Sequence, residues 1–182
     1  MPRNAVPYRR GARRVTLARQ LDWVQGDRAH SSALNSFICA DPPNKVYDGQ
    51  RTKTHPRPWQ LEVQSHFRRM RFPIAERSQL LLGYIDSELA TICELGFDQA
   101  GDDFRIDTIA TRVDFQNQGF GKQALDRALE TITVTRETYS MKGEVITRIH
   151  YLNEPSQHLF QRAGFVPVAL VDGEYETWIL DS

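Results

Sequence analysis

The stretch Gln116-Asn117-Gln118-Gly119-Phe120-Gly121 decides how the rest of the chain is interpreted. Before it, residues 104–111 have the composition of a β-strand; after it, apolar residues recur at helical spacing from Ala124 to Ile132. Its two glycines carry no Cβ, so the chain can turn tightly there and approach a phosphate group closely. Because the free N–H groups at the start of a helix bind anions, we predict a pyrophosphate site formed by the main chain from Gln118 to Lys122.

Other nucleotide-binding loops share this glycine pattern. Residues 119–124 fit a loose G-x-G-x-x-A pattern, but a dinucleotide-binding fold places an acidic residue about 20 positions on, at the end of its second strand. The acidic residue of segment 140–144 instead precedes the next predicted strand. A P-loop is excluded because four residues do not separate the glycines and because Gln123 follows Lys122.

A second motif lies further along the chain. Asn153 follows a predicted strand, and a short predicted helix then leads to Gly164-Phe165. In this order and spacing, the two motifs resemble the GNAT superfamily of acetyl-CoA-dependent N-acetyltransferases, whose phosphate-binding signature is Gln/Arg-x-x-Gly-x-Gly/Ala. The resemblance is strong over residues 75–182; the residues before them share with it only a predicted strand and two helices.

The resemblance implies an α/β (α+β) structure, the GNAT fold. In this fold a central twisted sheet, mixed but mostly antiparallel, is splayed between its fourth and fifth strands and flanked by helices on both faces. The residue pattern predicts helices over 28–38, from Trp59 to Pro73, after Gly121 and over 156–163, and a loop over 44–58. It predicts strands over 15–18, 80–85, 89–97, 104–111, 145–152, 165–170 and 175–180. We expect a flexible basic arm over residues 1–14 and a single acetyltransferase domain over residues 15–182.

Composition limits the partners and the cellular location that this domain is expected to have. The formal net charge is zero, but residues 1–71 hold 14 Lys and Arg against 5 Asp and Glu, and the remainder holds 9 against 18. A basic region binds nucleic acid or stays a solvated tail, and both alternatives remain open. No apolar run reaches the roughly 20 residues of a membrane helix, so we predict a cytoplasmic protein with no membrane partner. Cys39 and Cys93 form no CxxC pair, which predicts buried, reduced thiols rather than a disulfide or a metal site.

The resemblance also implies acetyl-CoA as the cofactor and assigns residues to it. The main chain of Ala110, Thr111 and Val113 would bind the pantetheine arm in the splay, like an added strand. The phosphate loop would contribute Gln116, Gln118, Gly119, Phe120, Gly121 and Lys122. Asn153 would anchor the cofactor arm, although an Asn at this place is equally suited to cap the next helix.

Transfer of an acetyl group to an amine requires an acceptor for the amine proton, and two carboxylates are candidates. Strand alternation puts Asp103, Arg105 and Asp107 on one face of the fourth strand, where the family often recruits a carboxylate. Asp107 is the first candidate base, or else a salt-bridge partner of Arg105. Glu94 is the second, because it interrupts an apolar run and burial favours proton uptake by a carboxylate.

One position departs from the family pattern. Many relatives have Tyr four residues before the Gly of Gly-Phe, where it protonates the departing thiolate, and this chain has Phe160. We keep Phe160 among the cofactor-binding residues and choose Tyr151 as the candidate acid; Ser156, His158, water or an unassisted thiolate are the alternatives. His150 and Tyr151 fall on opposite faces of a predicted strand, so at most one of them points into the splay.

Three functions fit these residues. The first is direct transfer of an acetyl group from acetyl-CoA to a primary amine of a small molecule or a protein. The second is acetylation of the amino acid on a charged tRNA, as in toxins of this superfamily, where the basic arm and Arg68, Arg69 and Arg71 would bind phosphates. The third is a non-catalytic acyl-CoA-binding module, which the change to Phe160 favours. A homodimer, common among GNAT proteins, is the expected assembly.

Overall fold

The computed structural model describes residues 19–47, 49, 52–98, 102–171 and 173–180. The predicted basic arm and the predicted strand at 15–18 lie outside the described residues. The division into an arm over 1–14 and one domain over 15–182 therefore stays a prediction.

The described chain contains four α-helices and nine strands. The helices are α1 (Ser31–Ser36), α2 (Pro58–Arg69), α3 (Phe120–Tyr139) and α4 (Glu154–Arg162). The strands are β1 (Asp22–Gln25), β2 (Val46–Tyr47), β3 (Lys53–Thr54), β4 (Ser78–Ile85), β5 (Glu88–Asp98), β6 (Asp103–Thr111), β7 (Val145–His150), β8 (Phe165–Val171) and β9 (Tyr175–Leu180). Short 3₁₀ turns over Arg28–His30 and Val113–Phe115 precede α1 and the loop before α3.

Seven of the strands form one mixed sheet in the order β1-β4-β5-β6-β7-β9-β8. β6 and β7 run parallel, and the other neighbouring pairs are antiparallel. β2 and β3 form a separate hairpin. A mostly antiparallel mixed sheet with helices packed on both faces confirms the predicted fold class.

The two faces of the sheet bury separate apolar clusters. On one face, α3 contributes Leu125, Ala128 and Ile132, which pack on the sheet together with residues of α4. On the other face, α2 contributes Phe67, which packs with strand residues such as Ile92 and with α1. Each fully buried side chain of this kind stabilises the fold by about 1.5–3 kcal/mol. These clusters hold α2 and α3 on opposite sides of the same strands.

β6 separates from β7 after a short parallel contact. The pairing runs only from Phe104 opposite Val145 to Ile106 opposite Thr147. Counted without the β2–β3 hairpin, β6 and β7 are the fourth and fifth strands of the part of the chain that the structure describes. The sheet is therefore open between the second half of β6 and the end of β7, at the place where the splay is predicted.

A β-bulge in β6 coincides with this separation. Along the contact with β5 the register shifts, because Ile106 lies opposite Leu95 whereas Thr108 lies opposite Glu94. Asp107 is thus the extra residue of the bulge. Because a bulge bends its strand and increases the local twist, it directs the second half of β6 away from β7.

Several predicted elements differ from the observed ones. The sequence pattern misses β1, a four-residue strand that pairs with β4 and has no second neighbour among the described residues. The predicted helix over 28–38 is wrong in extent, because a 3₁₀ turn capped by Asp27 comes first and α1 ends at Ser36. The predicted loop over 44–58 contains the β2–β3 hairpin, whose two-residue strands are too short for a period-two pattern.

Candidate active site

The loop from Gln116 to Gly119 leads from β6 to the N-terminus of α3. Asn117 (φ 60°) and Gly119 (φ 84°) adopt the left-handed conformation, and Gly119 holds the N-cap position of α3 without a side-chain hydrogen bond. A Cβ built on Gly119 would meet no atom within 4 Å. The first N–H groups of α3 therefore lie beside open space at the positive end of the helix dipole, which suits an anion.

Two glutamine side chains stabilise this loop through hydrogen bonds to main-chain carbonyl oxygens. Gln116 donates from Nε2 to the carbonyl oxygens of Cys39 (3.1 Å) and Thr111 (3.2 Å). Gln118 donates from Nε2 to the carbonyl oxygen of Asp114 at 2.9 Å. Because both side-chain amides are engaged in this way, these two predicted cofactor residues would meet a ligand through their main chain.

A cavity of about 940 Å³ opens beside the loop and extends between α2, β6 and α4. We call it the first cavity. Most of the predicted cofactor residues line it, namely Ala110, Thr111, Gln116, Gly119, Gly121, Lys122 and Asn153. A cavity of this volume is large enough for a cofactor-sized ligand.

A second cavity, of about 450 Å³, continues from the first one through the splay. Both are lined by Trp59, Val63, Ile109, Asn153, Ser156 and Leu159, so together they form one cleft between the separated ends of β6 and β7. The remaining wall of the second cavity carries polar side chains from three strands, among them Arg105, Asp107, Arg148 and Tyr175. The opening in the sheet thus connects the phosphate loop to a polar cavity under α2.

Two predicted cofactor residues, Val113 and Phe120, contact other parts of the protein instead of the cleft. Val113 donates its N–H to the carbonyl oxygen of Ile38 at 2.9 Å and lines neither cavity. The side chain of Phe120 is buried against Phe115, with ring centroids 5.9 Å apart. Phe120 therefore anchors the start of α3 and can offer a ligand only its main chain.

Asn153 caps α4 and also lines the cleft. Its Oδ1 accepts a hydrogen bond from the N–H of Ser156 at 3.4 Å, which caps α4. Its own N–H donates to the carbonyl oxygen of His150 at 2.8 Å. Asn153 also lines both cavities, so the predicted contact with the cofactor arm stays a prediction beside the observed cap.

The first candidate base, Asp107, is paired with its neighbour on β6. The Nε atom of Arg105 donates to Oδ1 of Asp107 at 3.1 Å, and both side chains line the second cavity. The pair lies over Gly96, where a Cβ would come within 2.5 Å of both side chains. Gly96 therefore leaves the space that this ion pair occupies.

The second candidate base, Glu94, binds a histidine that the sequence analysis did not select. Oε2 of Glu94 lies 2.6 Å from Nε2 of His66 on α2. The side chain of Glu94 is 13% exposed and that of His66 is 49% exposed. The hydrogen bond to Glu94 raises the pKa of His66 above its usual value, against the opposing effects of burial and Arg69. The spacing of His66 from Trp59 and Val63 on one helix face was the available sequence signal.

The candidate acid, Tyr151, lies outside both cavities and is 46% exposed. The expectation that His150 and Tyr151 face opposite sides of a strand is wrong, because β7 ends at His150 and Tyr151 belongs to the following turn. The turn brings the two rings into a stack with centroids 5.0 Å apart and an angle of 16° between their planes. His150 also lies 4.4 Å from the ring of Trp59 at the start of α2.

Phe160 occupies the position of the family tyrosine. Its side chain is buried and packs edge-to-face against Phe165, with centroids 5.0 Å apart, and it forms part of the wall of the second cavity. Ser156, which lines both cavities, is the nearest hydroxyl along α4. The wall is therefore apolar where relatives with Tyr have a proton donor.

The two cysteines are buried, as predicted, and are not bonded to each other. Burial raises the pKa of Cys39 to about 12, and it raises the pKa of Cys93 as well, so both thiols stay neutral. Among the described residues, no group of three or more His, Cys, Asp and Glu side chains is arranged to hold a metal ion. Nor does any helix of the described chain have the length and apolar character to span a membrane.

Comparison with known families agrees with this geometry and places the chain among the acyltransferases. The model of the acetyltransferase (GNAT) family matches residues 43–165. The chain belongs to that family. The matched range includes α2, the phosphate loop, the splay and α4.

Solved structures share the fold at low sequence identity. Nourseothricin acetyltransferase is 15% identical, with a TM-score of 0.58 over 88% of this chain and 96% of that chain. PaiA N-acetyltransferase from Thermoplasma acidophilum, in complex with coenzyme A, is 14% identical, with a TM-score of 0.62 over 89% and 99% of the two chains. The ribosomal-protein-S18-alanine N-acetyltransferase from Escherichia coli is 14% identical, with a TM-score of 0.54 over 87% and 90%. A search among curated protein sequences finds no match.

Proposed function

We propose that the protein is an N-acetyltransferase that moves the acetyl group of acetyl-CoA directly to a primary amine. One observation carries the proposal: a single cleft runs from the uncapped N-terminus of α3, through the splay, into a polar cavity under α2. The cleft suits a long anionic thioester entering from one side and an amine entering from the other. Because the two reactants would meet at the splay, the protein would hold them in the orientation for attack.

The residues of the first cavity fit acetyl-CoA. Its pyrophosphate would lie on the N–H groups from Gln118 to Lys122, where Gly119 leaves room for an anion. Its pantetheine arm would follow Ala110 and Thr111, which lie beyond the last residue pair between β6 and β7. Asn153 would contact the arm with its side-chain amide. The bound thioester supplies the acetyl group, and the protein supplies binding, orientation and proton transfer.

The names of the structural neighbours support this activity. One neighbour is an N-acetyltransferase in complex with coenzyme A, and two others act on acceptors as different as nourseothricin and a ribosomal protein. For this chain we propose a small molecule or a protein as the source of the amine, and a cytoplasmic location.

A charged tRNA is the less favoured acceptor. Arg69 donates to the carbonyl oxygen of Ser65, and Arg71 donates to the carbonyl oxygens of Arg69 and Met70. Part of each of these two guanidinium groups is thus engaged by the main chain at the end of α2, which counts against a role in binding phosphates. If tRNA is the substrate after all, its binding will weaken steeply with added salt, because phosphate contacts release counterions.

A turnover screen tests the proposal. The purified protein is incubated with acetyl-CoA and a panel of amines, peptides and charged tRNAs, while released thiol and acetylated product are measured together. We expect thiol release that depends on one class of amine and matches the product formed. If calorimetry shows acetyl-CoA binding but no amine in the panel is acetylated, the protein is an acyl-CoA-binding module and the proposed activity is wrong.

A further inference from the structure

We propose that His66 is the base that takes the proton from the attacking amine, and that Glu94 is the positioning residue that holds its imidazole. The assignment rests on the proposed function. It differs from the sequence prediction, in which Asp107 or Glu94 is the base.

The two side chains meet between α2 and the sheet. The separation of 2.6 Å between His66 Nε2 and Glu94 Oε2 is typical of a short, charge-assisted hydrogen bond. Glu94 is largely buried, whereas half of the His66 side chain is exposed. The carboxylate is thus enclosed with the imidazole as its partner, and the imidazole is the member of the pair that can reach a substrate.

The position of the pair fits this role. His66 follows Trp59 and Val63 on one face of α2, at spacings of seven and three residues, and those two side chains line the second cavity. Glu94 lies opposite Thr108 in the sheet, and Thr108 lines the same cavity. Neither His66 nor Glu94 lines a cavity itself, but the pair lies one helical turn beyond Val63 and beside Thr108, next to the wall of the second cavity; we infer that an amine there reaches His66 directly or through one water.

The other two candidates for proton transfer are less suited. The carboxylate of Asp107 accepts a hydrogen bond from Arg105 at 3.1 Å, so a protonated Asp107 would lose this ion pair. Tyr151 lies in the turn after β7, where its ring stacks on that of His150, and no carboxylate is hydrogen-bonded to it among the described residues. Proton transfer to His66 instead creates a cation beside the carboxylate of Glu94, which stabilises it.

The charges around His66 favour proton uptake. Glu94 on β5 and Asp107 on β6 raise the pKa of His66, whereas burial and Arg69 on α2 itself lower it. A third carboxylate, that of Glu62, lies on α2 itself and accepts a hydrogen bond from the hydroxyl of Tyr175 at 2.6 Å. The sum of these effects leaves His66 a stronger base than a solvated histidine.

The proton has a defined acceptor in this arrangement. When Nε2–H donates to Glu94, Nδ1 is the basic nitrogen, and no described residue hydrogen-bonds it. As the amine nitrogen bonds to the acetyl carbon, the C–S bond breaks and its electron pair leaves with the sulfur as thiolate. The amine proton passes to Nδ1, and the resulting imidazolium later releases it to solvent.

The test is the pH dependence of kcat/KM for two amines of different pKa, at saturating acetyl-CoA. A limb common to both amines belongs to the enzyme. Since a general base contributes typically 10²–10⁴-fold, we expect His66→Gln to lower the plateau about 100-fold or more and to remove this limb. Glu94→Gln should move the limb to lower pH, because the loss of the carboxylate lowers the pKa of His66.

His30→Gln is the matched control. His30 is also a histidine paired with a carboxylate, with Nδ1 2.7 Å from Oδ1 of Asp27, and it lines neither cavity. We expect this variant to keep the pH profile of the parent. Circular dichroism of all three variants checks that each one is folded.

Three outcomes would overturn the assignment. An unchanged limb in a folded His66→Gln protein shows that His66 is not the base while the proposed function stands. A His66 imidazole that titrates by NMR at the same pH in the parent and in Glu94→Gln shows that Glu94 does not hold it. If the parent acetylates no amine in the panel, the proposed function and the base assignment fail together.

Discussion

The two cavities of the cleft are built in different ways. The first includes three stretches whose main chain is left unpaired by the fold, namely the phosphate loop, the N-terminus of α3 and the half of β6 that has no β7 partner, besides residues of α2 and α4. The second is lined by side chains from five separate elements, α2, β6, β7, α4 and β9. One of its polar groups, the hydroxyl of Tyr175 on β9, donates to Glu62 on α2.

Because of this difference, members of one family can share the anion site and still differ in the side chains of the second cavity. A main-chain site for an anion needs only glycines and a helix start, so a short local motif specifies it. A side-chain site needs residues that the fold brings together from distant parts of the chain. We therefore expect changes in the phosphate loop to affect acetyl-CoA alone, and changes in the second cavity to affect the amine alone.

Replacement of Gly119 by a β-branched residue should have a large effect on the first cavity. At a φ of 84° a β-branched side chain is strained by about 1–2 kcal/mol, and it would occupy the space beside the helix N-terminus. We expect Gly119→Val to weaken acetyl-CoA binding about 100-fold, or about 2.7 kcal/mol, as measured by calorimetry.

Gly49→Val is the control for Gly119→Val. Gly49 has the same φ of 84° and equally open surroundings, but it belongs to the connection between β2 and β3, outside the phosphate loop. It should lose a similar amount of stability and keep the affinity of the parent. Equal losses of affinity in the two variants would show that backbone strain, not the anion site, accounts for the effect.

Replacement of Asp107 should affect the opposite cavity. Asp107→Asn removes the ion pair with Arg105 and leaves a guanidinium without its carboxylate in the wall of the second cavity. We expect the KM for the amine to rise about tenfold, close to 1.4 kcal/mol, while the Kd for acetyl-CoA is unchanged. Glu130→Gln, which breaks the exposed pair with Arg127 on α3, should change neither quantity.

Sequence patterns predict most of the residues that line the first cavity near the loop for the same physical reason that they predict α3 and β9. The apolar spacing from Ala124 to Ile132 is the spacing of the α3 core contacts, and the period-two pattern of 175–180 coincides with β9. These signals are local. In contrast, His66 and Glu94 are 28 positions apart, and only the packing of α2 on β5 brings them together.

The same reasoning explains the missed elements. β1 is four residues long and mostly exposed, so pairing with β4 decides its conformation rather than its own pattern. Tyr151 fits a strand by residue type, but the main chain turns after His150 because Asn153 starts α4. Local propensity gives way to tertiary contacts at these positions.

A hydroxyl added at position 160 should have a smaller effect. Phe160→Tyr restores the family residue in the wall of the second cavity, but a coenzyme A thiolate leaves readily without a proton. We expect kcat to rise about threefold or less, far below the 10²–10⁴-fold typical of general acid–base catalysis, in steady-state assays.

Phe165→Tyr is the control for this change, because Phe165 is buried against Phe160 and lines neither cavity. It should lose about 1–3 kcal/mol of stability through an unsatisfied hydroxyl and gain no activity. A rise in kcat well above tenfold for Phe160→Tyr alone would show that protonation of the thiolate limits the parent enzyme.

The smallest expected effect is on stability. The pKa of His66 is raised in the folded protein, so the pair with Glu94 stabilises the fold fully below the unfolded pKa of about 6.5. This contribution is lost as the pH rises through the raised pKa. For a half-exposed pair we expect at most about 1 kcal/mol, measured as the difference in unfolding free energy between parent and His66→Gln. A difference that grows with rising pH would contradict the assigned direction.

Calorimetric titration of acetyl-CoA into Gly121→Trp tests most directly whether the cleft is the cofactor site. A Cβ at Gly121 lies 3.7 Å from both Leu159 Cδ2 and Thr111 Oγ1, so an indole there fills the cleft between α3, α4 and β6. Val134→Trp, at an exposed position further along α3, is the control. We predict that Gly121→Trp abolishes binding while Val134→Trp binds like the parent; undiminished binding by a folded Gly121→Trp protein would contradict the assignment of the cleft.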